Sequence, residues 1–451
     1  MATTDAHLSS LRESHSLNTN PARLLQAKAH ELIPGGAHTY AKGDDQFPEQ
    51  APPFIVRGKG CHTWDLEGNE FIEYGMGLRS VTLGHAYEPV VEAAYGEMRL
   101  GTNFSRPAAI EVEAAEAFLE TVPAAEMVKF AKNGSDVTTA AVKLARAYTG
   151  RDLIAICSDH PFFSTDDWFI GMLDMNAGIP QSIAAMTLGF RYNDLDSLRE
   201  LFDQHSSQIA CVVMEAEASA APLPGYLRSV KELCEERGAL LIFDEMITGL
   251  RWHLGGAQQF HAVTPHLSTF GKALGNGFAV SALAGERRIM RLGGLDHDQP
   301  RVFLLSTTHG AETHALAAAI AVLQIYHRDD VIARLWNQGD RLQRQVEQSI
   351  AENRLRGFFE LHGRPCNLIF STCDQDGMRS QAFRTLFMQE MIRRGVIGPS
   401  FVVSFSHSDA DIDRTAEAVH ESLAIYRKAL DQGVEKYLEG RPVKPVNRRF
   451  N

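Results

Sequence analysis

Only six cysteines stand in the 451 residues (Cys61, Cys157, Cys211, Cys234, Cys366 and Cys373), and no two form a C-x-x-C pair. That scarcity leaves a disulfide framework or a zinc site without support and points to reduced thiols in a core. No metal is expected. Also missing is any run of roughly 18 apolar residues, the length a membrane-spanning helix needs. The N-terminal MATTDAHLSSLRESHSL lacks the basic-then-apolar order of a secretory signal, so the expected location is cytoplasmic. Basic excess is lacking too: 44 Lys and Arg face 56 Asp and Glu, a formal net charge of −12. This balance argues against nucleic-acid binding and against a cationic membrane surface, and leaves small molecules or a second copy of the chain as partners. Neither an internal repeat nor a low-complexity tract interrupts the chain. At 44% hydrophobic and 22% charged residues, the composition is that of an ordinary globular protein.

Residues 1–20 are polar and unpatterned and read as an arm. A helix is expected over Ala22–Leu32, ended by Pro34-Gly35-Gly36. Strands are expected at Ile55–Arg57, Cys61–Asp65 and Glu70–Tyr74, separated by Gly-rich turns. From about residue 110 helices alternate with strands. Helices are expected at Ile110–Val122, Val137–Tyr148 and Leu227–Arg237, and strands at Val128–Ala131, Leu153–Cys157, Cys211–Glu215 and Leu240–Phe243. The last strand is wholly apolar, as in a parallel sheet buried on both faces.

The alternation predicts an α/β fold with a large, mainly parallel sheet flanked by helices, ending with a helix at Ala315–His327. Beyond it come expected helices near Val331–Ile350, Ser380–Arg394 and Asp409–Leu430, and strands near Leu368–Ser371 and Val402–Phe405. These predict a smaller α+β domain completed by the N-terminal strands. The expected division is 1–75 for the arm and part of the small domain, 76–330 for the large domain, and 331–451 for the rest and a basic tail.

Three stretches carry chemistry. Leu240-Leu241-Ile242-Phe243-Asp244-Glu245 places a carboxylate at the carboxyl end of a buried strand, where open α/β sheets bind ligands. Asp244 there suits a cationic ring nitrogen or a metal, or equally a helix cap. Lys272, in Phe270-Gly271-Lys272-Ala273-Leu274-Gly275, sits between apolar residues and glycines. Desolvation would make its amine nucleophilic, although a surface Lys in a Gly-rich loop reads the same way. Asn133-Gly134-Ser135-Asp136, ahead of a helix, offers free N–H groups and a hydroxyl as a phosphate cradle, or an ordinary N-cap. Cradle, strand-end acid and lysine in this order fit a cofactor with a phosphate, a protonatable ring nitrogen and an aldehyde, namely pyridoxal 5′-phosphate.

At these residues the chain resembles the class III (fold-type I) pyridoxal-phosphate aminotransferases, most closely the glutamate-1-semialdehyde aminomutase-like branch. Asp244-Glu245-Met246-Ile247-Thr248-Gly249-Leu250-Arg251 matches the family's D-E-x-x-T-G-F/L-R, and Thr269-Phe270-Gly271-Lys272 the segment of its Schiff-base lysine. Asn133-Gly134-Ser135-Asp136 stands where the family has S-G-S/T-E, and Thr308-His309-Gly310-Ala311 where a partner's Thr reaches the phosphate. The resemblance implies that Lys272 holds the cofactor and shuttles the proton, and that Asp244 stays ionised against the ring nitrogen. It implies that Gly134 and Ser135 bind the phosphate from one subunit and Thr308 from the other, which requires a homodimer. It also places Glu215 near the ring.

Departures narrow the acceptor. Where relatives carry Tyr-His-Gly, this chain has Asp159-His160-Pro161, so His160 keeps the family's histidine and Phe162 is the candidate stacking ring. Arg79, in Gly77-Leu78-Arg79-Ser80, reads as a clamp for a substrate anion or as the partner of a protein carboxylate. His38, Tyr40 and Lys42 are candidate pocket residues, and Arg251 reads as a structural salt-bridge residue. The expected activity is ping-pong transamination from a donor such as glutamate to a specialised carbonyl, a keto- or aldehydo-sugar among the options. The alternatives are a glutamate-1-semialdehyde 2,1-aminomutase and a non-catalytic binding protein on the same scaffold.

Overall fold

The computed structural model describes residues 20–160 and 162–450. Near the N-terminus, β1 (Ile55–Lys59), β2 (His62–Asp65) and β3 (Glu70–Glu73) form an antiparallel meander. Seven further strands make the large sheet: β4 (Met127–Ala131), β5 (Leu153–Cys157), β6 (Thr187–Phe190), β7 (Ile209–Met214), β8 (Leu240–Asp244), β9 (Leu267–Phe270) and β10 (Ser281–Gly285). Their order is β4-β10-β9-β8-β7-β5-β6, parallel throughout except for β10, which runs antiparallel to both neighbours. The sheet is therefore mainly parallel, as the alternation of elements predicts.

Period-2 patterning explains why the central strands are apolar at every position. Val212, Leu241 and Phe243 face one core, while their neighbours Cys211, Val213, Leu240 and Ile242 face a second core on the opposite side of the sheet. Each such side chain contributes roughly 2 kcal/mol by leaving water. Both faces are dry, so the free positions lie at the strand ends.

Helices cover the two faces. Gly134–Thr149 puts Val137, Ala141, Leu144 and Ala145 into the second core. Thr313–Arg328 puts Leu316, Ala319, Val322 and Leu323 into the first. The six cysteines are all buried and unpaired. Away from the sheet, Cys61, His62 and Asp411 come within ligand reach of one another. Cys61 Sγ lies 3.5 Å from Asp411 Oδ2, and His62 bridges Asp411 at 3.1 Å and Glu70 at 2.8 Å.

The C-terminal segment supplies β11 (Phe359–His362), β12 (Ile369–Thr372) and β13 (Val396–Ile397). β13 pairs parallel with β3, Val396 opposite Ile72, so the two ends of the chain share one sheet. The strand expected at Val402–Phe405 does not form; only Phe401 bridges to Leu368. Its backbone groups go elsewhere: Val403 O to Arg251, Ser404 N to His407 Nδ1, and Phe405 N to Thr82 O. No helix among the described residues is long and apolar enough to cross a membrane.

Candidate active site

Because β10 is antiparallel to both β4 and β9, the carboxyl ends of β4, β5, β7, β8 and β9 all open on one edge of the sheet. Ligands of open α/β sheets bind at that edge, and each strand there leads into a residue with chemistry. After β4 comes Asn133-Gly134-Ser135; after β5, His160; after β7, Glu215; at the end of β8, Asp244; after β9, Lys272. Ser281, starting β10 at the same edge, donates to Asn133 O at 2.8 Å.

Asp244 is buried, and its Oδ1 accepts from Met246 N at 2.8 Å. Burial pushes its carboxyl up to about 6, against the pull of the Lys272 ammonium. Burial likewise lifts Glu215 to about 8, with Asp244 adding to the rise and Lys272 and Arg79 opposing it. Lys272 is shifted down by its own burial, while Asp244 and Glu215 resist. Their charges act on one another, so the three form one cluster. Next in sequence, Glu245 is fully buried and belongs to the frame. It accepts from Thr248 Oγ1, from Ala257 N at 2.8 Å and from Gln258 N at 2.7 Å.

A carboxyl held above its unfolded value binds its proton more tightly in the folded chain, so its ionisation disfavours folding. Among the described residues, no hydrogen bond to the Glu215 side chain offsets this. Glu215→Gln is therefore expected to stabilise the cofactor-free chain above about pH 8 by on the order of 1–3 kcal/mol. The gain should vanish as pH falls to 4.5, where the unfolded carboxyl is protonated as well. Thermal unfolding of both proteins across that range checks the sign.

His160 is buried, and its Nδ1 accepts the Glu215 N–H at 3.0 Å. The ring is neutral, since burial lowers its pKa to about 4, and its proton therefore sits on Nε2. Among the described residues that buried Nε2 has no partner, a donor waiting for an acceptor. At the start of helix Gly134–Thr149, Asn133 N donates to Asp136 Oδ2 at 2.9 Å, so Asp136 caps the first turn. Ser135 Oγ accepts from Thr165 N at 3.0 Å. A Cβ at Gly134 would come within 3.1 Å of Met246 Sδ, and one at Gly271 within 2.7 Å. The two glycines thus make room for Met246 beside a strand-end acid, a lysine and, among the described residues, an unpaired imidazole N–H. This donor set fits a ring with a basic nitrogen, an aldehyde and a phosphate.

Arg79 lies on a turn that L-residues seldom adopt: Met76, Gly77, Leu78 and Arg79 have φ of 42°, 58°, 58° and 72°. Each non-glycine residue there costs roughly 1–2 kcal/mol, strain of the kind that collects at functional sites. Arg79 Nε donates to Asn367 Oδ1 at 3.0 Å, an amide and not the expected carboxylate. Arg251 also departs from the salt-bridge expectation. It is fully buried and donates to Cys366 O, Val403 O, Thr82 Oγ1 and Arg79 O, with no carboxylate partner among the described residues.

The remaining candidates stand farther out. Phe162 is half exposed and packs edge-on against Phe169 at 5.5 Å. Asp159, at the position of the family's aromatic ring, accepts from Tyr192 N at 2.6 Å. Tyr40 and Lys42 are exposed on a short turn, and Lys42 lines, with His38, Gly77 and Leu78, a groove of about 1120 Å³. Thr308 is exposed, its carbonyl accepting from Asn103 Nδ2 at 2.9 Å.

Sequence reasoning missed Asn367 and the buried Glu217, which is held by His261 Nε2 at 2.7 Å and by Arg364 Nε at 2.5 Å. Only the fold brings residues 364–367 to this edge. Glu217 alone carried a signal, as an acid two residues beyond a buried strand.

Residues 45–421 match the family model "Aminotransferase class-III". A 3-aminobutyryl-CoA aminotransferase of Cloacimonas acidaminovorans is 31% identical over 90% of this chain and 97% of its own length. A glutamate-1-semialdehyde 2,1-aminomutase of Syntrophobacter fumaroxidans is 32% identical over 88% of this chain and 96% of its own. Among solved structures, the FumI protein of Sphingopyxis sp. MTA144, in its pyridoxal phosphate internal aldimine form, superposes with a TM-score of 0.82. It shares 26% identity over 91% of this chain and 97% of its own.

Proposed function

The chain belongs to the class III, fold-type I aminotransferases, which use pyridoxal 5′-phosphate, and on that premise we propose that it moves an amino group from a donor such as glutamate to a specialised carbonyl acceptor by a ping-pong cycle. The observation that carries this reading is the charge-coupled cluster of Lys272, Asp244 and Glu215 at the carboxyl edge of the sheet. When bound, the cofactor supplies an aldehyde that exchanges onto an amine and a ring that takes up the electron pair left at the substrate carbon.

Lys272 Nζ would hold the cofactor covalently and, once released, its amine would carry the proton at the substrate carbon. Burial shifts its pKa downward, toward the neutral amine that nucleophile and base both require. Asp244 holds the proton of the ring nitrogen by charge. Gly134 and Ser135 bind the phosphate, His160 offers its Nε2–H beside Glu215, and Phe162 supplies an aromatic face. Arg79 takes a substrate anion, with Tyr40 and Lys42 at the mouth. Divisions at residues 75 and 330 and a cytoplasmic location complete this reading.

A homodimer with shared sites is part of the same proposal. Leu100, Phe104 and Phe303 are 73%, 52% and 70% exposed, and they flank the segment that carries Thr308. Apolar side chains of this size on a surface suit a second copy, whose own Thr308 would then reach this phosphate site.

The test is the visible spectrum of the cofactor-loaded protein with single donors. The expected result is loss of the long-wavelength band with release of the matching keto acid. The likeness to a named aminomutase favours a second reading, which takes over if no amino acid changes the band and glutamate-1-semialdehyde alone is converted.

A further inference from the structure

The short turn Pro365–Asn367 is pinned from several sides to the rim of the site. Arg364 donates from Nε and Nη2 to the buried Glu217 at 2.5 and 3.1 Å, just beyond β7. Arg251 Nη1 donates to Cys366 O at 2.9 Å, and Asn367 N to Arg364 O at 2.8 Å. Helix Val331–Glu352 presses on the turn so closely that a Cβ at Gly339 would fall 1.8 Å from Pro365 O. From this frame the Asn367 Oδ1 meets Arg79 Nε at 3.0 Å.

That single bond has a consequence for charge. Among the described residues, Arg79 Nη1 and Nη2 have no hydrogen-bond or carboxylate partner. A guanidinium held by Nε alone keeps its Nη pair, a face that grips a carboxylate in bidentate fashion, unused. Aspartate at 367 would accept the same bond and cancel the charge, whereas the amide orients the group and leaves the charge intact. The strained turn fixes the Arg79 backbone, and Arg251 Nη2 reaches its carbonyl at 3.4 Å. Arg79 also lies near enough to Glu215 and Lys272 for their charges to interact.

We propose that Asn367 is a positioning residue that aims the Arg79 Nη pair at a carboxylate of the substrate. The group bound at this face is then a carboxylate, not a neutral amide or a phosphate. One guanidinium offers two parallel N–H donors and a single charge, which match a carboxylate better than a phosphate dianion. The inference rests on the aminotransferase reading of this site.

The cofactor-loaded wild type, Asn367→Asp and Asn367→Ala are titrated with succinate, with its neutral isostere succinamide and with inorganic phosphate. Binding is read by calorimetry and by the cofactor's absorption band. Wild type is expected to bind succinate in preference to the other two. Asn367→Asp should weaken succinate by roughly ten-fold or more and leave succinamide unchanged, with Asn367→Ala intermediate. If Asn367→Asp does not load cofactor, Asn367→Ala decides. Equal succinate affinity in the variants, equal loss for succinamide, tighter binding of phosphate, or no succinate binding by wild type would each overturn the assignment. A wild type that fails to load the cofactor sinks the aminotransferase reading instead, so the two failures are told apart.

Discussion

Lys272→Ala is expected to lower turnover by roughly a thousand-fold or more, because one substitution removes both the covalent anchor and the proton carrier. The loss should be chemical and not structural. No hydrogen bond among the described residues depends on the ammonium, and the φ of 45° at this position strains alanine as it strains lysine. The electrostatic consequence is separate. Without the ammonium, Asp244 and Glu215 lose their shared counter-charge and only Arg79 still opposes the rise at Glu215, so both carboxyls should hold protons to higher pH than in wild type. Single-turnover kinetics, borohydride reduction and mass measurement of the loaded protein check the assignment. A variant whose cofactor is still fixed to the chain on reduction places the anchor at another lysine. Partial rescue by methylamine, with the fold unchanged, is the expected signature of a missing amine.

Much of the large sheet was legible because its central strands are apolar without interruption. Cys211–Met214 and Leu240–Phe243 bury alternate residues in two different cores, and no other element of that length needs to be apolar on both sides. β6, β9 and β10 were not legible. Thr187–Phe190, Leu267–Phe270 and Ser281–Gly285 carry small or polar residues among the apolar ones, which hides the pattern. The reverse error occurred at Val402–Phe405, an apolar stretch whose backbone is drawn off by Arg251, His407 and Thr82.

At the site, Asp244 and Lys272 stood out because each combines an unusual residue with an unusual neighbourhood along the chain. Arg79 was visible as a residue but not as a geometry. Its partner, an amide and not a carboxylate, comes from a turn 288 residues away, and the left-handed turn beneath it leaves no compositional mark beyond Gly77. What the sequence conceals here is charge compensation. Whether a buried cation is neutralised depends on which distant side chain the fold delivers.

The same logic makes Asp244→Asn the second decisive substitution. The amide keeps the volume and an oxygen that can accept the Met246 N–H, now at 2.8 Å, so the end of β8 should hold its shape. What disappears is a negative charge in a dry site, where one such group is worth about 10²–10³ in kcat. A loss of that size is expected, with the cofactor still anchored at Lys272. The pH profile separates this role from a structural one. In wild type the carboxylate holds the proton on the ring nitrogen, and burial alone keeps Asp244 from being a strong acid, with a value of about 6 in the cofactor-free chain. A cationic ring beside it draws that value down, so the wild-type rate should not fall until well below pH 6. In the variant the ring nitrogen must take its proton from solution unaided, so its residual rate should climb as pH falls through the neutral range. Steady-state kcat measured between about pH 5 and 9 shows which holds. A variant with wild-type kcat and a parallel profile would mean that Asp244 serves the fold and that the ring nitrogen finds its charge elsewhere.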